Sequence, residues 1–225
     1  MTEDKAPRSR RERPAKAALT RDGIVRTAVG LVRVEGLRRV TMRRLADELD
    51  TGAASLYVYV RNTAELHAAV LDELLGSVEL TPEVGDWRER LEAVLTSYAE
   101  VLLEYPELAQ AALVARPSGP KYLALLETVL ALLDEGGVPM SQAAWGVDLL
   151  LQYATASAAE HAGQEGSWDP LLKKLQAVRA EEHPQLAAHG EDLLSGPREA
   201  RLAWGFRVLI NGVLGTPRLE GAHHD

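Results

Sequence analysis

The sequence predicts an all-α chain. Apolar residues recur at the 3.6-residue spacing through one segment after another, and most of these segments are opened by a capping residue or closed by Gly or Pro. No stretch sustains the period-two alternation that a half-buried strand requires. Of the 225 residues 46% are hydrophobic, enough for a packed core of one large domain or two small ones that share it.

The elements follow in order. Residues 1–19 are polar and charged, with Arg8, Arg10, Arg11, Arg13 and Lys16, and read as a flexible basic arm. Thr20 caps a helix carrying Ile24, Val25, Ala28, Val29, Leu31 and Val32, which Gly36 closes. Thr41 caps a short helix with Met42, Leu45, Ala46 and Leu49 inside. Asp50-Thr51-Gly52 is a turn, and Ala53 to about Tyr59 is a second short helix. Asn62 and Glu65 form a candidate capping box for a helix reaching about Leu80, and Asp86 with Glu89 a second. The stripe Trp87, Leu91, Val94, Leu95, Tyr98, Leu102, Tyr105 is stopped by Pro106.

A helix over about 107–115 and another marked by Tyr122, Leu125, Leu126, Val129 and Leu133 come next, the latter ended by Gly136-Gly137. Ser141 is expected to cap a long helix to about Ala162, rich in small residues from Ala143 to Ala158. Asp169-Pro170 starts a brief helix. Leu202, Phe206, Leu209 and Val213 mark the last, before a tail at 218–225.

Several function classes are excluded at once. The chain has no cysteine, so disulfides, thiol catalysis and cysteine-ligated zinc are ruled out. No apolar run approaches the roughly 18 residues of a membrane span, and the basic N-terminus lacks the apolar stretch of a secretory signal. The expectation is a cytoplasmic protein without membrane contact. No nucleophile elbow or paired-carboxylate array supports catalysis, so no enzyme is expected. His161 reads as a surface histidine, and His223-His224-Asp225 lies on a terminus without a framework, so neither is taken as a metal site.

Charge is divided unevenly. The net charge is −8, yet through His67 fourteen Lys and Arg stand against nine Asp and Glu, a balance of +5, leaving −13 for the remainder. Polyphosphate attracts the first segment and repels the second. The basic segment also holds two short helices joined by a tight turn and preceded by a longer one, the layout of a helix-turn-helix. A helix that enters the major groove needs a small or polar outer face, which Thr51, Gly52, Ala53, Ala54 and Ser55 supply. Thr41, Arg43, Arg44, Tyr57, Tyr59 and Arg61 are placed to hold the flanking phosphates of double-stranded DNA.

The run Thr41-Met42-Arg43-Arg44-Leu45-Ala46-Asp47-Glu48-Leu49, then Ser55-Leu56-Tyr57, Val60-Arg61-Asn62 and Glu65-Leu66, resembles the DNA-binding domain of the tetracycline-repressor family over residues 20–67. Tyr59 stands where that family often has His, and Thr63 where it favours Lys, a lost charge that should weaken nonspecific affinity. The resemblance implies an N-terminal three-helix DNA-binding domain and a C-terminal effector-binding and dimerisation domain over 68–217. It continues through Asp86-Trp87, Leu102-Leu103-Glu104-Tyr105, Ala115-Arg116-Pro117 and Tyr122. The histidines with which the family's namesake holds a magnesium-chelated drug are matched here by Glu79 and Ala112, and an acidic residue near the effector by Glu160. No metal and no cofactor are therefore expected.

Trp87, Tyr98, Tyr105, Arg116, Trp145, Tyr153 and Glu160 are the candidate effector residues. Aromatic residues at helical spacing serve equally as core, and Arg116 equally as a solvated loop residue. Acidic surroundings favour a neutral or cationic organic effector. Leu202, Phe206, Leu209 and Val213, facing the small residues of the long helix, are the candidate homodimer interface implied by the family. Plain intramolecular packing is the rival. The function expected is a ligand-responsive repressor that binds a palindromic operator as a dimer. The alternatives are an activator or architectural DNA-binding protein without an effector, or a small-molecule-sequestering protein.

Overall fold

The structure is a computed structural model that describes residues 18–114, 116–160 and 169–218. Most of the arm, His161 and the histidines of the tail lie outside the described residues. Among those described, eleven α-helices and no strand are found: α1 (Arg21–Glu35), α2 (Met42–Glu48), α3 (Ala53–Leu56), α4 (Thr63–Leu74), α5 (Trp87–Glu104), α6 (Pro106–Val114), α7 (Pro120–Glu135), α8 (Met140–Glu160), α9 (Asp169–Gln176), α10 (Pro184–His189) and α11 (Arg198–Gly215).

The caps explain most boundaries. Thr20 and Thr41 each accept a hydrogen bond from a first-turn amide, Gly23 and Arg44, at 3.1 Å. Before α5 the box closes in full: Asp86 Oδ1 accepts from the Arg88 and Glu89 amides, and Glu89 Oε2 accepts from the Asp86 amide at 2.9 Å. The box before α4 is only half of the expected kind. Asn62 Oδ1 accepts from the Glu65 amide at 2.8 Å, but Glu65 reaches past the cap to the Arg61 amide.

Three boundaries differ from expectation. α4 stops at Leu74 rather than near Leu80, tightening into a 3₁₀ turn over Leu75–Ser77 where the Ser77 hydroxyl donates to the Leu74 carbonyl. The second short helix stops at Leu56: the amides of Tyr59 and Val60 both donate to the Leu56 carbonyl. Leu56 and Val60 are fully buried while Tyr57, Val58 and Tyr59 are all exposed, so aromatic and β-branched residues close a turn instead of extending a helix. α8 begins one residue before Ser141, its first amides donating to the Pro139 carbonyl, and Ser141 caps nothing. α5 ends at Glu104 as foreseen, because Tyr105, standing before a proline, leaves the helical region with ψ 64°.

One core runs from α1 to α11. α8 is its axis, packed on α5, α6, α7 and α11, and Gly146 lets α11 come so close that a Cβ there would lie 2.7 Å from Val213. α4 packs on α1 on one side and on α6 and α7 on the other. The domain boundary expected at residue 67 thus falls within a continuous helix that both parts share.

Candidate DNA interface and effector cavities

α2 stands against α1 and α3 against α2, with Leu45, Ala46 and Leu56 in the core. That packing leaves Gly52, Ala54 and Ser55 exposed, with Thr51 and Ala53 half-buried. Arg43, Tyr57, Tyr59 and Arg61 are exposed around this small-residue surface. Val58, 80% exposed between the two tyrosines, belongs to the same surface. Sequence patterning passed over it because a valine at that position reads as core. Arg61 has an i,i+4 pair with Glu65 at 3.1 Å, yet its side chain is 87% exposed, and such pairs exchange readily for phosphate.

Arg44 is held differently from these exposed side chains. Its guanidinium is held by Glu35 of α1 at 2.5 Å and Glu48 at 2.8 Å. The pair holds the Glu35 carboxyl below its usual range and pushes Arg44 further up. With two carboxylates on one guanidinium the local charge is negative, and the side chain ties α1 to α2.

The seven effector candidates separate. Tyr153 and Glu160 line a cavity of about 520 Å³ between α5, α8 and α11, walled by Ala99, Leu103, Ala158 and Leu202. Tyr153 meets Phe206 edge-on at 5.5 Å. Arg198 and Arg201 also line it, and Arg201 donates to the carbonyls of Leu193 and Ser195. Tyr98 and Arg116 line instead a recess of about 50 Å³ with Ala112, Pro117, Tyr122 and Thr155. The Tyr98 hydroxyl lies 2.8 Å from Thr155 Oγ1, which itself donates to the Leu151 carbonyl, so Tyr98 is the donor. Burial pushes the phenols of Tyr98 and Tyr122 up. Arg116 is paired with Asp148 of α8.

The other three stand elsewhere. Tyr105 lines an open cleft between α1 and α6, beside the 2.6 Å Arg38–Glu107 ion pair. Trp87 lies against Gly136 beneath the Arg88 guanidinium. Trp145 is 58% exposed, with the Arg218 guanidinium 4.1 Å above its ring. Neither tryptophan lines the cavity or the recess: Trp87 packs half-buried against the core where α5 meets the end of α7, and Trp145 stands on the outer side of α8.

Glu79, matched to one histidine of the drug sensor, holds Thr81 and borders neither the cavity nor the recess. Among the described residues no three His, Asp or Glu side chains are grouped to hold a metal, and no helix is long and apolar enough to cross a membrane. Sequence reasoning missed His67: it lines a small apolar cavity between α4 and α6 with Leu71, Leu108 and Ala112, its buried Nε2 has no hydrogen-bond partner, and burial holds its pKa down against the pull of Glu107.

The candidate interface residues are mostly occupied within the chain. Leu202, Phe206 and Val213 are buried within the chain, Phe206 completely, and Leu209 is half-buried. Their side of α11 packs on α8. The adjacent side carries Trp204 and Val208, and α8 presents Trp145 and Leu149, all four at least 44% exposed.

A helix-turn-helix head joined by a shared helix to a helical domain with cavities defines a transcriptional regulator. Residues 81–216 match the family model described as tetracyclin repressor-like, C-terminal domain. An HTH-type transcriptional regulator of Saccharopolyspora erythraea is 31% identical over 95% of this chain and 92% of its own length. The transcriptional repressor DrrR1 of Streptomyces coeruleorubidus is 28% identical over 91% of this chain and 80% of its own. Among solved structures, the Streptomyces coelicolor TetR family protein ActR, in complex with (S)-DNPA, superposes with a TM-score of 0.81 at 37% identity, covering 88% of this chain and 98% of that one. The chain belongs to the tetracycline-repressor family of transcriptional regulators, which are not enzymes.

Proposed function

We propose that this regulator is a repressor that binds a palindromic operator as a homodimer and releases it when a small organic effector binds. The observation that carries this reading is the exposed surface of Gly52, Ala54 and Ser55 ringed by Arg43, Tyr57, Tyr59 and Arg61. It is shaped for base edges at its centre and for phosphates at its edge. A dimer sets two such surfaces against half-sites roughly 34–36 Å apart. The face of Trp145, Leu149, Trp204 and Val208 supports that dimer, since adjacent helices that expose two tryptophans gain by covering them.

The cavity of about 520 Å³ has the size and apolar walls of a small-molecule site. ActR has been solved in complex with actinorhodin as well as with (S)-DNPA, which supports an organic effector for this relative. Arg198 and Arg201 offset Glu160 in its lining, so the negative charge of the segment does not extend into the cavity. A neutral ring-containing compound, held without metal, fits better than a cation. The test is selection of duplexes from a random pool, followed by binding across salt. A palindromic consensus with affinity falling steeply with salt is expected; failure to enrich any duplex would sink the proposal.

A further inference from the structure

Asp72 lies on α4, two residues before the helix ends, and is 7% exposed. A buried carboxylate requires partners. Among the described residues no ion pair is formed by it; its Oδ1 accepts the backbone N–H of Tyr122 at 2.9 Å. Tyr122 is the third residue of α7. That helix has Gly119 at its cap position, with no side chain to offer, and Pro120 behind it, with no N–H. Asp72 therefore does from another helix what a capping side chain ordinarily does from its own, and places a negative charge at the positive end of α7.

The fit is close. A Cβ on Gly119 would come within 2.1 Å of the Asp72 carboxyl carbon, so only glycine admits the carboxylate. The neighbouring residues, Glu73 and Lys121, form an ion pair across the same junction.

The position of this cap matters because of what each helix does. α4 begins directly after the α3 turn and packs on α1 of the DNA-binding head. α7 packs on α5 and α8, the helices that wall the 520 Å³ cavity, and its first turn continues from Arg116 and Pro117 at the Tyr98 recess. We infer that Asp72 is the positioning residue through which α4, and with it the recognition surface, is coupled to α7 and the effector cavities. This rests on the proposed operator-binding function. Coupling is reciprocal, so DNA bound at the head alters the first turn of α7 without any effector present.

The experiment is amide hydrogen exchange over residues 119–126, with and without a duplex enriched by selection, on the full chain. In the wild type, DNA should slow exchange of the Tyr122 amide at least severalfold. In Asp72→Ala the same amide should exchange faster and ignore DNA, while affinity for the duplex falls by no more than the factor by which DNA slows exchange in the wild type. Asp72→Asn, which keeps an acceptor oxygen, should restore part of the response. Gly119→Ala, whose backbone φ of −81° suits alanine, should abolish the response with the carboxylate still present, and serves if Asp72→Ala does not fold. Bound DNA without a change at Tyr122 in the wild type, or an undiminished change in Asp72→Ala or Gly119→Ala, overturns the coupling alone. Enrichment of no duplex overturns the operator-binding reading, and the coupling with it.

Discussion

The DNA-binding head and the effector domain are built from the same kind of helix but are specified in different ways. In the head, α1 to α3 are locally determined: Thr20 and Thr41 cap, Gly36 and the Asp50-Thr51-Gly52 turn stop, and buried Leu45 and Leu56 leave one short face outward. In the effector domain the helices are long, apolar on more than one side, and divided among core, cavity and exposed faces by their neighbours. Function in the head is a surface that can be read residue by residue. Function in the larger domain depends on space between helices.

The largest effect that would break this comparison concerns α11. Phe206→Ala should destabilise the fold by about 3–5 kcal/mol, as for other buried aromatic residues, seen as a lowered midpoint in denaturant. Trp204→Ala, two residues away on the exposed side, should leave that midpoint nearly unchanged and shift light scattering toward the monomer. If the two variants exchanged these outcomes, the assignment of faces would be reversed.

In the head, Ala54→Glu should abolish DNA binding by setting a carboxylate against base edges, with the thermal transition intact. Unchanged affinity would mean that α3 is not the recognition helix. A smaller loss is expected in the domain core: Tyr98→Phe removes a buried hydrogen bond to Thr155 and should cost about 1 kcal/mol, measured by the same denaturant titration.

The arginine pair sharpens the comparison further. Arg43→Ala should reduce the slope of log affinity against log salt by about one unit if it contacts one phosphate. Arg44→Ala should leave the slope unchanged, because Glu35 and Glu48 already hold that guanidinium. Equal slopes for both variants would return Arg44 to the phosphate contacts.

The smallest effect concerns His67. Its folded pKa lies below the ordinary 6.5, so the unfolded chain binds the proton more readily. The stability it supports is present above that value and is lost as pH falls through the folded pKa. His67→Leu should flatten the decline in midpoint below about pH 6.5, recorded against the wild type in a pH series of melts.

What the sequence determined by itself is local. Caps, stops and helical spacing depend on residues a turn apart, and they placed nearly every helix, the recognition turn and the ring of Arg43, Tyr57, Tyr59 and Arg61 around it. Tertiary structure decided whatever depends on distant partners. The stripe Leu202, Phe206, Leu209, Val213 marks α11 as amphipathic, but only the position of α8 shows that its apolar side is core, leaving Trp204 and Val208 exposed. The aromatic residues at helical spacing were equally readable as core or cavity lining, and packing sent Tyr153 to the cavity, Tyr98 to the recess and Trp145 to the surface. Arg44 and Asp72 carry ordinary charges in the sequence. Their roles come from Glu35 nine residues away and from Tyr122 fifty residues away, because the environment of a charge is set by what folds against it rather than by its neighbours in the chain.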